Sequence, residues 1–280
     1  AWRKVETLRQ TLAVKGRGVP ENIELRYTVH GPILHEDRAR HRAYALRWVG
    51  AEPGTAGYLP ALSVARATNW REFQQAMARY KVPSENMVYA DTAGNIGWQP
   101  GGLTPVRRNW TGLLPVSGDT GAYEWNGFLP FEEMPRLFNP PSHFIATANH
   151  NILPPGYTHR LGYEWALPFR FERVREMLRA GGKFTVADFE RMQQDVVSLP
   201  ARRFQAILRQ WRPASGGTHE AIVKRLLAWD AALTTESVPA AIYAHWMARL
   251  PAAVFGAGLG ARTNLEMLLK TLESKPNPKA

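Results

Sequence analysis

The stretch "ENMVYADTAGNIGWQPGG", residues 85–102, decides how the first half of this chain folds. An apolar run through Val88 and Tyr89 stops at Asp91, and another resumes at Ile96 and Trp98. Residues 92–95 between them are small or polar, with Gly94 and Asn95 suited to a reversal. Two short strands around such a turn predict a β-hairpin.

Working outward, the neighbouring segments divide into a strand-rich half and a helical half. "ETLRQTLAVKG" (6–16) and "IELRYTVHGPIL" (23–34) alternate apolar and polar residues, as strands buried on one face should. "RAYALRWVG" (42–50) is a third strand of the same kind. "NWREFQQAMARYKVP" (69–83) spaces Trp70, Phe73, Met77 and Tyr80 at helical intervals, with Pro83 beyond its end. Residues 99–143 are rich in loops, and "FIATANHNILPPGY" (144–157) is a strand that stops at Thr147 and breaks into a proline-rich loop. From residue 181 the chain turns helical. "TVADFERMQQDVVSLPARRFQAILRQW" (185–211) opens with Thr185 as N-cap and Asp188 in the first turn, and Pro200 divides it. "THEAIVKRLLAWDAAL" (218–233) and "PAAIYAHWMARLPAAVFG" (239–256) follow at helical spacing, and the tail "ESKPNPKA" (273–280) reads as frayed. The fold class is α+β, with a β-rich part over 1–180 and a helical region over 181–280.

Composition narrows the functional classes. A hydrophobic content of 45% over 280 residues supports a sizeable core, and ten tryptophans argue against disorder. With no cysteine, disulfides and thiolate metal sites are excluded. The net charge of +11 raises nucleic-acid binding. The basic residues are spread along the chain, however, and neither an RNA-binding signature nor a helix-turn-helix pattern occurs, so a solvated basic surface is the better reading. No signal peptide is visible at "AWRKVETLRQ". The apolar stretch from Val238 to Leu259 is interrupted by His245 and Arg249, which makes it a buried helix and not a membrane span.

Most catalytic motifs are missing: there is no GxSxG elbow, P-loop, HExxH or GxGxxG, and "GAGLGA" (256–261) lacks the dinucleotide spacing. His143, His150 and His159 fit no common metal-ligand spacing and read as loop histidines on a solvated surface. Asn149 sits where the strand runs out. An amide donor there can be aimed at a developing oxyanion, while spacing alone favours a turn asparagine that bonds its own backbone.

Four segments in order alter that balance. "ENMVYADTAGNIGWQPGG", "YEWNGFLPFEEMPRLFNPPSHFIATANHN" (123–151), "YEWALPFRFERV" (163–174) and "QQDVVSLPARRF" (193–204) resemble the central part of the β-chain of penicillin acylases. The resemblance covers residues 1 to about 235. It implies an N-terminal nucleophile hydrolase, with an αββα sandwich and a helical C-terminal region, that cleaves a linear N-acyl amide through an acyl-enzyme on a chain-terminal serine. In that setting Asn149 supplies the side-chain half of the oxyanion hole, and Arg173 supports the site electrostatically. Glu85, Asn86 and Met87 fall in the region that shapes the acyl pocket. Glu164 matches a ligand of a structural calcium ion, and the chemistry itself needs no cofactor. The resemblance further implies a bacterial periplasmic or extracellular setting and processing from a precursor. Its partners are an N-acylated small-molecule amide, an acylase α-chain and the missing β-chain segments, with no nucleic acid and no membrane span.

The chain departs from the family at one essential point. It starts with Ala1, whose methyl group cannot attack a carbonyl, so the resemblance places the nucleophile and the backbone oxyanion donor upstream. Ser63, Ser117 and Ser142 have no evident base beside them and read as loop hydroxyls. The expectation is an internal β-chain segment, inactive alone, with apolar surface left uncovered. The alternative is a non-catalytic homologue or a basic β-rich ligand-binding module.

Overall fold

Met87 and Gln99 lie opposite each other in the hairpin, and the same register pairs Tyr89 with Gly97 and Glu85 with Gly101. The structure is a computed structural model that describes residues 3–55, 59–211, 218–260 and 262–274. The chain falls into two compact units. The first runs to Ile145 and includes Leu153–Glu164; the second joins Ala146–Ile152 to the chain from Trp165 onward.

In the first unit, β1 (Glu6–Leu12), β2 (Glu21–Thr28), β3 (Gly31–Asp37) and β4 (Arg42–Ala45) form an antiparallel sheet in that order. The single strand expected over 23–34 is therefore two strands joined at Val29 and His30. Gly31, with φ +127°, explains why the chain can turn there. A Cβ at this position would stand 2.1 Å from the Leu46 carbonyl oxygen, so only glycine permits the approach. Large apolar side chains of this region remain exposed, among them Leu8, Leu12, Leu34, Leu46 and Trp48.

A second sheet follows the short α1 (Ala61–Val64) and α2 (Trp70–Met77). It orders β5 (Glu85–Ala90), β6 (Ile96–Gly101) and β9 (Leu137–Phe138), while β7 (Pro105–Arg107) pairs with β8 (Trp125–Phe128). Asn69 caps α2 by accepting from the Glu72 N–H at 3.0 Å. The apolar stripe of α2 then buries Phe73 and Met77 with Tyr80 and Tyr89. Two glycines make this packing possible. A Cβ on Gly97 would reach 2.4 Å from the Trp70 ring, and one on Gly101 would reach 2.7 Å from Tyr80. The hairpin turn is closed by Asp91, which accepts from the Asn95 backbone N–H at 2.9 Å, and Gly94 supplies φ +86°.

The strand expected through Phe144–Thr147 does not form. Those residues have no ladder partner among the described residues, and the chain passes directly into a bend. The second unit consists of helices α3 (Phe169–Ala180), α4 (Val186–Gln193), α5 (Leu199–Gln210), α6 (Thr218–Leu227), α7 (Val238–Phe255), α8 (Ala257–Gly260) and α9 (Leu265–Ser274). Residues 165–180, grouped by composition with the β-rich part, sit with this unit because Phe169 of α3 packs against its core. That core is built from Ala201, Phe204, Leu208, Leu226, Ala231, Tyr243 and Leu269.

Thr185 caps α4 in a reciprocal box with Asp188, as its spacing predicts. Pro200 lies in the first turn of α5 behind the Ser198 cap, where the missing N–H costs nothing, so the break falls just before it. The Val238–Leu259 stretch is less buried than its composition suggests. Within α7 only Ala240 and Tyr243 are fully enclosed, and the opposite face is in solvent. No helix among the described residues is long and apolar enough to cross a membrane. The frayed-tail reading falls from residue 275 onward outside the described residues.

Replacing Gly97 by Ala should lower stability by about 1–3 kcal/mol through overpacking against Trp70. Gly18→Ala, where a new Cβ meets nothing within 4 Å, should stay within about 0.5 kcal/mol. Urea unfolding of the two variants checks the contrast.

Candidate active site

The bend Ala146–Ile152 and the first turn of α3 are stitched together within the second unit. Asn149 occupies the left-handed region at φ +61°, a conformation that asparagine tolerates better than other non-glycine residues. Its backbone carbonyl accepts from the Ala166 N–H at 2.8 Å. Arg170, second residue of α3, donates through Nη2 to the Ala148 carbonyl at 2.8 Å and to Asn149 Oδ1 at 3.0 Å.

A guanidinium has five donors and no acceptor, so the atom facing it must be the amide oxygen. This settles the orientation of the Asn149 amide and leaves Nδ2, with both its hydrogens, turned away from Arg170. Asn149 is solvent-exposed, which keeps that donor accessible. The arrangement is a donor whose direction is fixed from behind.

His150 is buried, in contrast to the solvated loop residue its sequence context suggests. Its ring stacks on Phe171 at 3.6 Å between centroids and 12° between planes. Burial pushes the imidazole below its ordinary range; Glu172 opposes this and Arg175 adds to it. Two polar atoms of the bend, Thr147 Oγ1 and His150 Nδ1, are sealed from solvent and have no hydrogen-bond partner. Buried groups of this kind are normally satisfied.

Arg173 is bonded elsewhere than to Asn149. Its Nε and Nη2 donate to the two carboxylate oxygens of Asp195 at 2.8 and 2.6 Å, and Nη1 lies 3.1 Å from Glu176. The Asp195 hydrogen bonds, with help from Glu176, hold the guanidinium firmly in its charged form despite desolvation. Glu176 is bound in turn by Arg202 at 2.8 Å. Arg170, missed by the sequence reading, lies one helical turn before Arg173 in "FRFERV", a spacing that could have marked both arginines as candidates.

The other predicted positions lie in the first unit. Glu85 is exposed at the start of β5, Asn86 Oδ1 accepts from Trp98 Nε1 at 2.8 Å, and Met87 packs against the Phe73–Met77 core. Glu164 is exposed, and among the described residues no three acidic or histidine side chains gather to hold a cation. His159 instead pairs with Glu133 at 3.0 Å.

The penicillin amidase family model matches residues 1–280. The chain belongs to the penicillin amidase family. It is 29% identical over 243 residues to the penicillin acylase 2 proenzyme of Pseudomonas sp. strain SE83, covering 87% of this chain and 31% of that protein. It is 30% identical over 279 residues to the acyl-homoserine lactone acylase QuiP of Pseudomonas fluorescens, covering 94% of this chain and 34% of that protein. A solved thermostable penicillin G acylase from Alcaligenes faecalis superposes with a TM-score of 0.76 at 25% identity, over 93% of this chain and 49% of that one. This penicillin amidase family chain thus spans about a third of the length of the curated relatives it matches. Its mixed helix and strand content agrees with that neighbour and establishes the α+β class.

Arg173 also lowers the Asp195 carboxyl below the usual carboxylate range, against the opposing effect of burial. An unfolded Asp titrates at about 3.9. The pair's contribution is therefore complete above that value and is lost as pH falls through the lower folded value. Asp195→Asn should cost stability at neutral pH and lose less than the native chain on acidification from about pH 5 to about pH 2. Urea midpoints across that range measure the difference.

Proposed function

We propose that this chain supplies the side-chain oxyanion donor of an amidohydrolase that cleaves linear N-acyl amides, with Asn149 Nδ2 as that donor. The observation that carries the reading is the Arg170 contact on Oδ1, which leaves Nδ2 free and aimed. Membership of the penicillin amidase family and acylase names among its relatives support the reaction class.

In this proposal a chain-terminal serine outside these residues attacks the amide carbonyl carbon through Oγ. Its own α-amino group, with an ordinary pKa of about 7.7–8.0, takes the hydroxyl proton. The carbonyl π pair moves onto oxygen, where Nδ2–H of Asn149 donates to the new charge. Such a donor is worth about 2.7–4 kcal/mol because it need not reorganise as the charge forms. The tetrahedral species collapses, the C–N bond breaks, and the proton held by the α-amine leaves with the amine. Water then enters the acyl-enzyme by the same route and releases the carboxylic acid.

Arg173 fits this scheme through position more than charge. Two carboxylates already offset it, and the bond to Asp195 ties α3, whose first turn carries Arg170, to the chain beyond α4. Met87 is the member of the β5 set best suited to an apolar acyl group, since Asn86 is engaged by Trp98 and Glu85 is exposed. Export to the periplasm or beyond and maturation from a precursor belong to the same reading; the word proenzyme in one relative's name supports the latter.

The left-handed backbone at Asn149 favours a second reading, in which the asparagine merely shapes the bend. Kinetics of the full polypeptide that carries this chain separate the two. Asn149→Ala should lower kcat by about 10²–10³ with KM little changed. Arg170→Met, which frees the amide to rotate, should lower kcat about tenfold. Unchanged kcat in Asn149→Ala, or a loss seen only in Asn151→Ala two residues along the same bend, would overturn the assignment. The 280-residue chain alone should release no amine from a chromogenic N-acyl amide.

A further inference from the structure

Arg107 ends β7 directly opposite Trp125 of β8. Its guanidinium carbon lies 5.6 Å from the Trp125 ring centroid and 5.5 Å from that of Trp110. Gly112, at φ +85°, lets the chain close over it, since a Cβ there would stand 2.9 Å from Arg107 Nε. Two indole faces and a glycine thus pin the arginine without a single hydrogen bond.

Several donors around it lack a partner. Arg107 Nε, Trp110 Nε1 and Trp125 Nε1 are all sealed from solvent and unpartnered. The nearby acids are already engaged. Glu124 binds Arg47 at 2.8 Å and His30 at 2.6 Å, and Glu52 faces Arg47 at 3.4 Å. Arg47 itself lies 4.4 Å above the Trp125 ring, so a second cation leans on the same indole. Among the described residues no carboxylate pairs with Arg107, whereas Arg173 and Arg203 each hold two. Burial lowers the Arg107 pKa somewhat, with Tyr163 opposing, yet a guanidinium remains charged throughout the physiological range.

The open ends of the guanidinium are Nη1 and Nη2, which make no hydrogen bond or ion pair among the described residues, while Nε is sealed. Two parallel N–H groups in a fixed plane match the two oxygens of a carboxylate. A planar carboxylate can lie in the plane of the guanidinium fork and meet both N–H groups, which favours it over a tetrahedral anion.

We propose that Arg107, flanked by Trp110 and Trp125, is a binding site for a small planar organic carboxylate, taken bidentately by Nη1 and Nη2. The site is independent of the amidase reading and lies within the first unit.

The test uses the full polypeptide labelled with 5-fluorotryptophan, with the Trp110 and Trp125 fluorine resonances assigned from Trp110→Phe and Trp125→Phe. Benzoate is the probe, benzamide its neutral counterpart and inorganic phosphate the tetrahedral competitor. Benzoate should shift both resonances saturably, benzamide should not, and phosphate should compete weakly. Arg107→Gln should weaken benzoate binding at least about tenfold, the loss expected for a charge-assisted pair. Arg107→Lys, which keeps the charge and loses the fork, should weaken it less and shows whether the site still folds. The proposal fails if neither resonance moves saturably, if the shifts persist in Arg107→Gln, or if benzamide or phosphate binds as well as benzoate.

Discussion

An arginine side chain can only donate, and a primary amide can do both; where the two meet, the arginine decides which end of the amide is left over. Arg170 meets Asn149 in this way, and the rest of the candidate site depends on it. The contact is possible because α3 starts at Phe169, which brings residue 170 to the bend, while Ala166 holds the bend by its backbone. Helix α3 is held in turn by the paired hydrogen bonds of Arg173 to Asp195. A chain of strong, geometrically specific bonds therefore runs from the helical unit to one exposed amide, and each link has a defined direction.

How much of this could be read from the residues depends on how local each cause is. The hairpin of β5 and β6 was legible because alternation and turn chemistry sit within one short window. So was the Thr185–Asp188 box, whose partners are three residues apart. The split between β2 and β3 was not, since Val29-His30 carries no usual turn signature. What settles it is the approach of Gly31 to Leu46, a contact between strands. The strand expected at Phe144–Thr147 illustrates the same limit, because a strand needs a neighbour and an apolar run alone does not supply one.

The site was partly legible. Asn149 could be singled out by its place after an apolar run and by the resemblance of the flanking segments. The choice between Arg170 and Arg173 could not be made, since the two lie one turn apart on a helix and differ in side-chain direction. His150 was misjudged for a similar reason: its burial comes from Phe171, a stacking partner distant in sequence. The large positive charge is a different case, since composition gives its size and only the fold shows its partners. In the helical unit many arginines are matched to acids, among them Arg173, Arg202 and Arg203, so the excess does not collect into one patch there.

The outer position of β1 has a practical side. It is bonded to β2 on one flank only, every residue along it is exposed, and Leu8 and Leu12 stand in solvent. A ribbon edge of that kind presents backbone N–H and C=O groups to which a further strand can add. For the isolated chain this liability grows with concentration, because the encounter of two such edges is a second-order event.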